Sequence, residues 1–130
     1  IAFIEKRRHG NDANAEALPL IGDVKDRDVI IVDDEVDTGG SIAQAVNVVR
    51  QNGACDVYLA FVHPILSRNG AERLASLPIK HIITTDSVPL SPQKKKILEG
   101  RITVLSIASL LGEVIKRAHE GRSVGEMFNE

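Results

Sequence analysis

Residues 29–42 read VIIVDDEVDTGGSI. A short apolar, β-branched run leads straight into two adjacent acids, and Asp-Thr-Gly-Gly-Ser begins at residue 37. Such a continuous run is the signature of a strand buried on both faces. Beyond the glycines, SIAQAVNVVRQNG sets Ile42, Ala45, Val46 and Val49 at i, i+3, i+4 and i+7, one face of a helix, and Gly53 suits its stop. A buried strand, an acidic glycine turn and an amphipathic helix in that order predict an α/β unit.

The turn poses a chemical question. Gly39 and Gly40 let backbone N–H groups approach an anion closely, Thr38 and Ser41 add hydroxyl donors, and the following helix favours negative charge at its N-terminus. Asp33, Asp34, Glu35 and Asp37 repel a phosphate. The ligand therefore needs two ends. A sugar phosphate has both, a phosphate for the turn and a vicinal diol for carboxylates at the strand end. Neither G-x-x-x-x-G-K-[ST] nor G-x-G-x-x-G occurs, so the turn is not a nucleoside-triphosphate loop or a dinucleotide fingerprint.

Working outward, IAFIE reads as a strand. The polar stretch 6–17, with Gly10 and several Asn and Asp residues, reads as a mobile loop. DVYLAFVHP (56–64), KHIITTD (80–86) and RITVLSI (101–107) read as strands, and a short helix is expected around NGAERLASL. VPLSPQKKKILEG, with two prolines and three consecutive lysines, reads as a solvated connection. Ile107, Leu110, Leu111, Val114, Ile115 and Ala118 trace one stripe of a last helix, after which Val124, Met127 and Phe128 should dock a short tail. Strands alternating with helices predict a mainly parallel sheet with flanking helices on both faces. The chain opens on an apolar strand with no initiator methionine, which predicts an upstream domain.

Composition narrows the function classes. The 130 residues fit one domain, with 43% apolar and 26% charged residues and a formal net charge of −2. That balance, with 3% aromatics and no Trp, offers no nucleic-acid or membrane surface. The single cysteine, Cys55, excludes an internal disulfide, suits a reducing, cytoplasmic compartment, and is expected to be a small buried residue. His9, His63, His81 and His119 have no metal-site spacing. His63 ends a strand and could face the site, although a structural role is the plainer reading; His81 and His119 read as strand-edge and helix-surface residues.

The string of apolar strand, two acids and D-T-G-G-S resembles the phosphoribosyl pyrophosphate loop of the type I phosphoribosyltransferase fold. Its surroundings, EKRRHGNDANAEALPLIGDVKDRDVIIVDDEVDTGGSI, and then FVHPILS, ITTDSVPL and VLSIASLLGEVIKRAHEGRSVGEMF, are similar to ribose-phosphate pyrophosphokinases. The resemblance covers essentially the whole chain and about the C-terminal two-fifths of a typical member. It implies one phosphoribosyltransferase-like domain, 1–130, as the C-terminal portion of a longer two-domain chain with a flexible catalytic loop at 6–17.

The resemblance further implies that Lys6 and Arg8 stabilise the transferring group, and that Arg8, Asp33, Asp34, Asp37, Thr38, Gly39, Gly40 and Ser41 bind ribose 5-phosphate. Asp33 would meet the ribose hydroxyls, and 37–41 would hold the phosphate. The reaction implied is diphosphoryl transfer from ATP, with Mg2+, to the anomeric hydroxyl of ribose 5-phosphate, in a homo-oligomer. The protein metal ligands and most of the ATP pocket would lie upstream, leaving the isolated chain inactive. Where family members commonly continue KRR with proline, this chain has His9-Gly10. A nucleobase phosphoribosyltransferase and a non-catalytic regulatory homologue are the alternatives.

Overall fold

The computed structural model describes residues 1–4 and 19–128. Strands β1 (Phe3–Ile4) and β2 (Leu20–Ile21) pair antiparallel as a small sheet of their own. The main sheet holds β3 (Val29–Glu35), β4 (Val57–His63), β5 (His81–Thr85) and β6 (Ile102–Leu105), side by side in that order and all parallel. Helices α1 (Gly40–Gln51), α2 (Gly70–Ser76) and α3 (Pro92–Ile97) make the crossovers. Helix α4 (Ala108–His119) and a 3-10 turn, Gly125–Met127, close the chain.

Period decides what is buried. Ile42, Ala45, Val46 and Val49 are the buried residues of α1, the face its spacing predicts. Ile42, Val46 and Val49 pack on one face of the sheet, against Val57, Leu59 and Phe61 of β4 and Ile82 of β5, with Ala71 and Leu74 of α2. Each buried Val, Ile, Leu or Phe among them stabilises the fold by about 1.5–3 kcal/mol relative to exposure. Gly53 ends α1 in the left-handed region, at φ 86°.

The other face departs from expectation. Ile30, Val32, Val62, Ile83 and Leu105 are exposed, Val32 by 77%. The register places Ile30 and Val32 opposite Tyr58 and Ala60, and Thr85 opposite Leu105, so these residues share the face turned away from the core. Helices thus cover one face among the described residues, not both. Helix α4 forms where its stripe predicts, but none of its residues is buried. Phe128 is 66% exposed. Val124 and Met127 are half-buried, and polar contacts also hold the tail: Arg117 donates to the carbonyl of Ser123 at 2.9 Å and to Glu126 at 3.5 Å.

One further reading is corrected. Cys55 is exposed, because it lies in the turn before β4 rather than in the strand. The lysine run lies in the connection between β5 and β6, as read, with Lys95 and Lys96 exposed, and it forms α3. Ser91 caps that helix, its hydroxyl accepting the Lys94 N–H at 3.3 Å, and Pro92 occupies the first turn, where its missing N–H costs nothing. Lys94 is half-buried and donates to the carbonyl of Ile65 at 2.9 Å. Among the described residues no helix is long and apolar enough to cross a membrane.

Candidate functional site

All four parallel strands present their carboxyl ends on the same edge, and β3 delivers the acidic turn there. Asp33 is half-buried and Asp34 exposed. Alternation parts the two: Asp33 pairs with Phe61 and faces the helix side, whereas Asp34 follows Val32 to the open side. The Asp34 N–H donates to Asp33 Oδ1 at 3.1 Å, and the Glu35 N–H to Asp34 Oδ1 at 2.8 Å. Asp33 and Ser41 line one cleft with Ile31, Leu20, Ala45 and Phe3. The structure thus brings the first acid and the last residue of the turn to a common space.

The turn is anchored from behind. The Val36 N–H donates to the carbonyl of His63 at 3.0 Å, and the Leu66 N–H to the carbonyl of Val36 at 3.0 Å. Gly39 is buried, caps α1 and holds φ 75°, ψ 8°, a left-handed conformation that glycine adopts without steric cost. Helix α2 lies directly against the turn. Arg73 Nη1 donates to the carbonyl of Thr38 at 3.1 Å. A Cβ built on Gly70 would stand 2.7 Å from the carbonyl oxygen of Asp37. One built on Gly40 would stand 3.4 Å from Arg73 Nη1, so that position is bounded on its α2 side by the guanidinium. Neither Gly70 nor Arg73 stood out in the sequence, because both sit in a short helix with no motif of its own.

The neighbouring strand ends carry a hydroxyl cluster. Ser87 Oγ and Thr85 Oγ1 both donate to the carbonyl of Val62, at 2.9 and 2.8 Å. Ser87 Oγ also lies within hydrogen-bond distance of His63 Nδ1, at 2.9 Å. His63 is exposed at the edge that carries the acids, with Glu35 as its partner across the ladder. Asp86 accepts the Ile107 N–H at 2.9 Å, and that bond, with a second from Ser106, holds its carboxyl below the usual carboxylate range.

Lys6 and Arg8, and the loop 6–17 that carries them, lie outside the described residues. Asp37, Thr38, Gly39, Gly40 and Ser41 form the turn as one contiguous unit, with Asp37 and Ser41 exposed. Among the described residues, no group of three or more His, Cys, Asp or Glu side chains could hold a metal ion.

A family model described as phosphoribosyl synthetase-associated domain matches residues 11–129. The ribose-phosphate pyrophosphokinase of Caldanaerobacter subterraneus subsp. tengcongensis is 43% identical over 128 residues, which make up 98% of this chain and 39% of that protein. That of Haemophilus influenzae is 40% identical over 129 residues, 99% of this chain and 40% of the relative. The chain therefore spans about two-fifths of the length of these curated relatives. Among solved structures, phosphoribosylpyrophosphate synthetase from Mycobacterium smegmatis superposes with a TM-score of 0.77 at 39% identity, over 92% of this chain and 37% of that one.

Proposed function

We propose, because the chain belongs to the phosphoribosyl synthetase-associated domain family, that it is the sugar-phosphate-binding part of a ribose-phosphate pyrophosphokinase. The observation that carries the reading is the acidic turn itself. A left-handed Gly39 opens a twelve-residue helix at the carboxyl edge of a parallel sheet, and Asp33 shares a cleft with Ser41.

In this reading the turn 37–41 holds the 5-phosphate of ribose 5-phosphate through backbone N–H groups and hydroxyls. Asp33 accepts hydrogen bonds from the ribose diol. The anomeric hydroxyl attacks the β-phosphorus of ATP, and AMP leaves. Such a transfer asks the protein for alignment and charge neutralisation, and Lys6 and Arg8 are the residues proposed to supply the charge. The described residues do not fit a magnesium cage. Magnesium would come with ATP and neutralise part of its charge. Assembly with further copies of the same chain, in the cytoplasm, belongs to the same proposal.

The test is product identity. The full-length protein carrying this chain should convert ribose 5-phosphate and ATP into phosphoribosyl pyrophosphate and AMP. Release of ADP instead would overturn the reading. Base-dependent release of pyrophosphate from phosphoribosyl pyrophosphate would favour a phosphoribosyltransferase, and loss of all turnover with ligand binding retained would favour a regulatory homologue.

A further inference from the structure

A peptide unit is planar and trans, so fixing where its carbonyl points also fixes its N–H, in the opposite direction. Two successive units of the acidic turn have their carbonyls against α2, the second held there by a hydrogen bond. The carbonyl of Thr38 accepts from Arg73 Nη1 at 3.1 Å. The carbonyl of Asp37 faces Gly70 so closely that a Cβ there would come within 2.7 Å of its oxygen. The N–H groups of Thr38 and Gly39 therefore both point away from α2. No acceptor among the described residues takes either of them. Two consecutive N–H groups aimed the same way beside a left-handed glycine make an anion-binding concavity.

From this we infer that Arg73 is a positioning residue for phosphate recognition. It meets the ligand only through the Thr38–Gly39 peptide, which it holds with the N–H outward, and Gly70 gives α2 the clearance to do so. Its half-buried guanidinium also places a positive charge behind an otherwise acidic turn, which carries Asp37 and follows Asp33, Asp34 and Glu35. Without that contact the peptide can flip, turning a carbonyl oxygen toward the phosphate.

The identity of the ligand rests on the proposed function, and the experiment separates the two. In the full-length protein, Arg73→Met should raise the KM for ribose 5-phosphate about ten-fold, with kcat and the KM for ATP within about two-fold. Arg73→Lys keeps a donor and the charge and should recover most of the loss. Hydrogen–deuterium exchange of a peptide spanning residues 36–42 reads the same orientation without turnover. Inorganic phosphate should slow exchange in the wild type and in R73K, and leave it unchanged in R73M. An unaltered KM for ribose 5-phosphate in R73M would overturn the inference. So would a lysine variant as impaired as the methionine one, or a defect confined to melting temperature. If R73M does not fold, R73K with near-normal KM and phosphate protection supports the inference, and R73K without them overturns it. Phosphate protection at 36–42 in a protein that does not use ribose 5-phosphate would uphold the role of Arg73 and remove the proposed substrate.

Discussion

Asp86 and Ile107 join the ends of β5 and α4 by one bond: the carboxylate of the former accepts the backbone N–H of the latter at 2.9 Å. This bond is the largest cause of the lowered pKa of Asp86, followed by the bond from Ser106. A carboxyl whose folded pKa lies below its ordinary 3.8 favours the folded state above that value and loses the contribution as pH falls through the lowered one. The protection factor of the Ile107 amide, its exchange rate relative to an unstructured amide at the same pH, should therefore fall below about pH 4, with β3 and β4 still protected. Asp86→Ala should show the low protection at neutral pH. Equal rates in the two proteins at pH 7 would show that the bond does not hold the start of α4.

Arg101 should prove a structural residue of the first importance. Its half-buried guanidinium donates to the carbonyls of Ala75, Leu77 and Ile79, closing the segment between α2 and β5. Arg101→Met leaves those acceptors without their charged partner and should cost about 3 kcal/mol. Urea denaturation checks this, and a loss below about 1 kcal/mol would count against the clamp.

The two glycines of the turn should separate cleanly. Gly39→Ala forces a left-handed φ of 75° on a residue with a Cβ, at about 1–2 kcal/mol. At Gly40 φ is not positive, and the added atom meets Arg73 Nη1 at 3.4 Å and Thr38 Oγ1 at 3.8 Å. Gly40→Val should thus remain folded yet bind ribose 5-phosphate more weakly, by crowding the guanidinium off Thr38. Thermal melts and calorimetric titration give both readings; a Gly40→Val protein with normal affinity would contradict the assignment of the cup.

Asp33→Ala should selectively impair diol recognition, by about 1.5–3 kcal/mol per charge-assisted bond lost. The comparison is ribose 5-phosphate against its 2-deoxy analogue. Equal weakening of both would mean that Asp33 serves the turn and not the sugar.

Lys6→Ala in the full-length protein should reduce kcat strongly and leave substrate affinities close to normal, the pattern of a contact made in the transition state. A defect confined to the KM for ATP would make Lys6 a binding residue.

The strands, their order along the chain and the buried face of α1 were legible because hydrophobic pattern reports on them directly: VIIV forms β3, and Ile42, Ala45, Val46 and Val49 turn inward as their spacing requires. That VIIV is not buried on both faces was not legible, since a continuous apolar run does not show whether anything meets its second face. The acidic turn was legible because glycines and carboxylates together are chemically unusual. Long-range bonds from side chain to carbonyl were not. Arg73 to Thr38, Lys94 to Ile65 and Arg101 to Ile79 each join distant segments and leave no periodic trace. The stripe on α4 was visible and its burial was not, since an amphipathic pattern shows that a face is apolar without showing what meets it.

The open face of the sheet has a practical consequence for all of these measurements. Ile30, Val32, Val62, Ile83 and Leu105 form an adhesive surface on the 130-residue chain handled alone. Its colloidal behaviour will depend on concentration and on salts that strengthen apolar association. A weakened binding isotherm for a variant of the acidic turn then carries meaning only when its light scattering matches that of the parent chain.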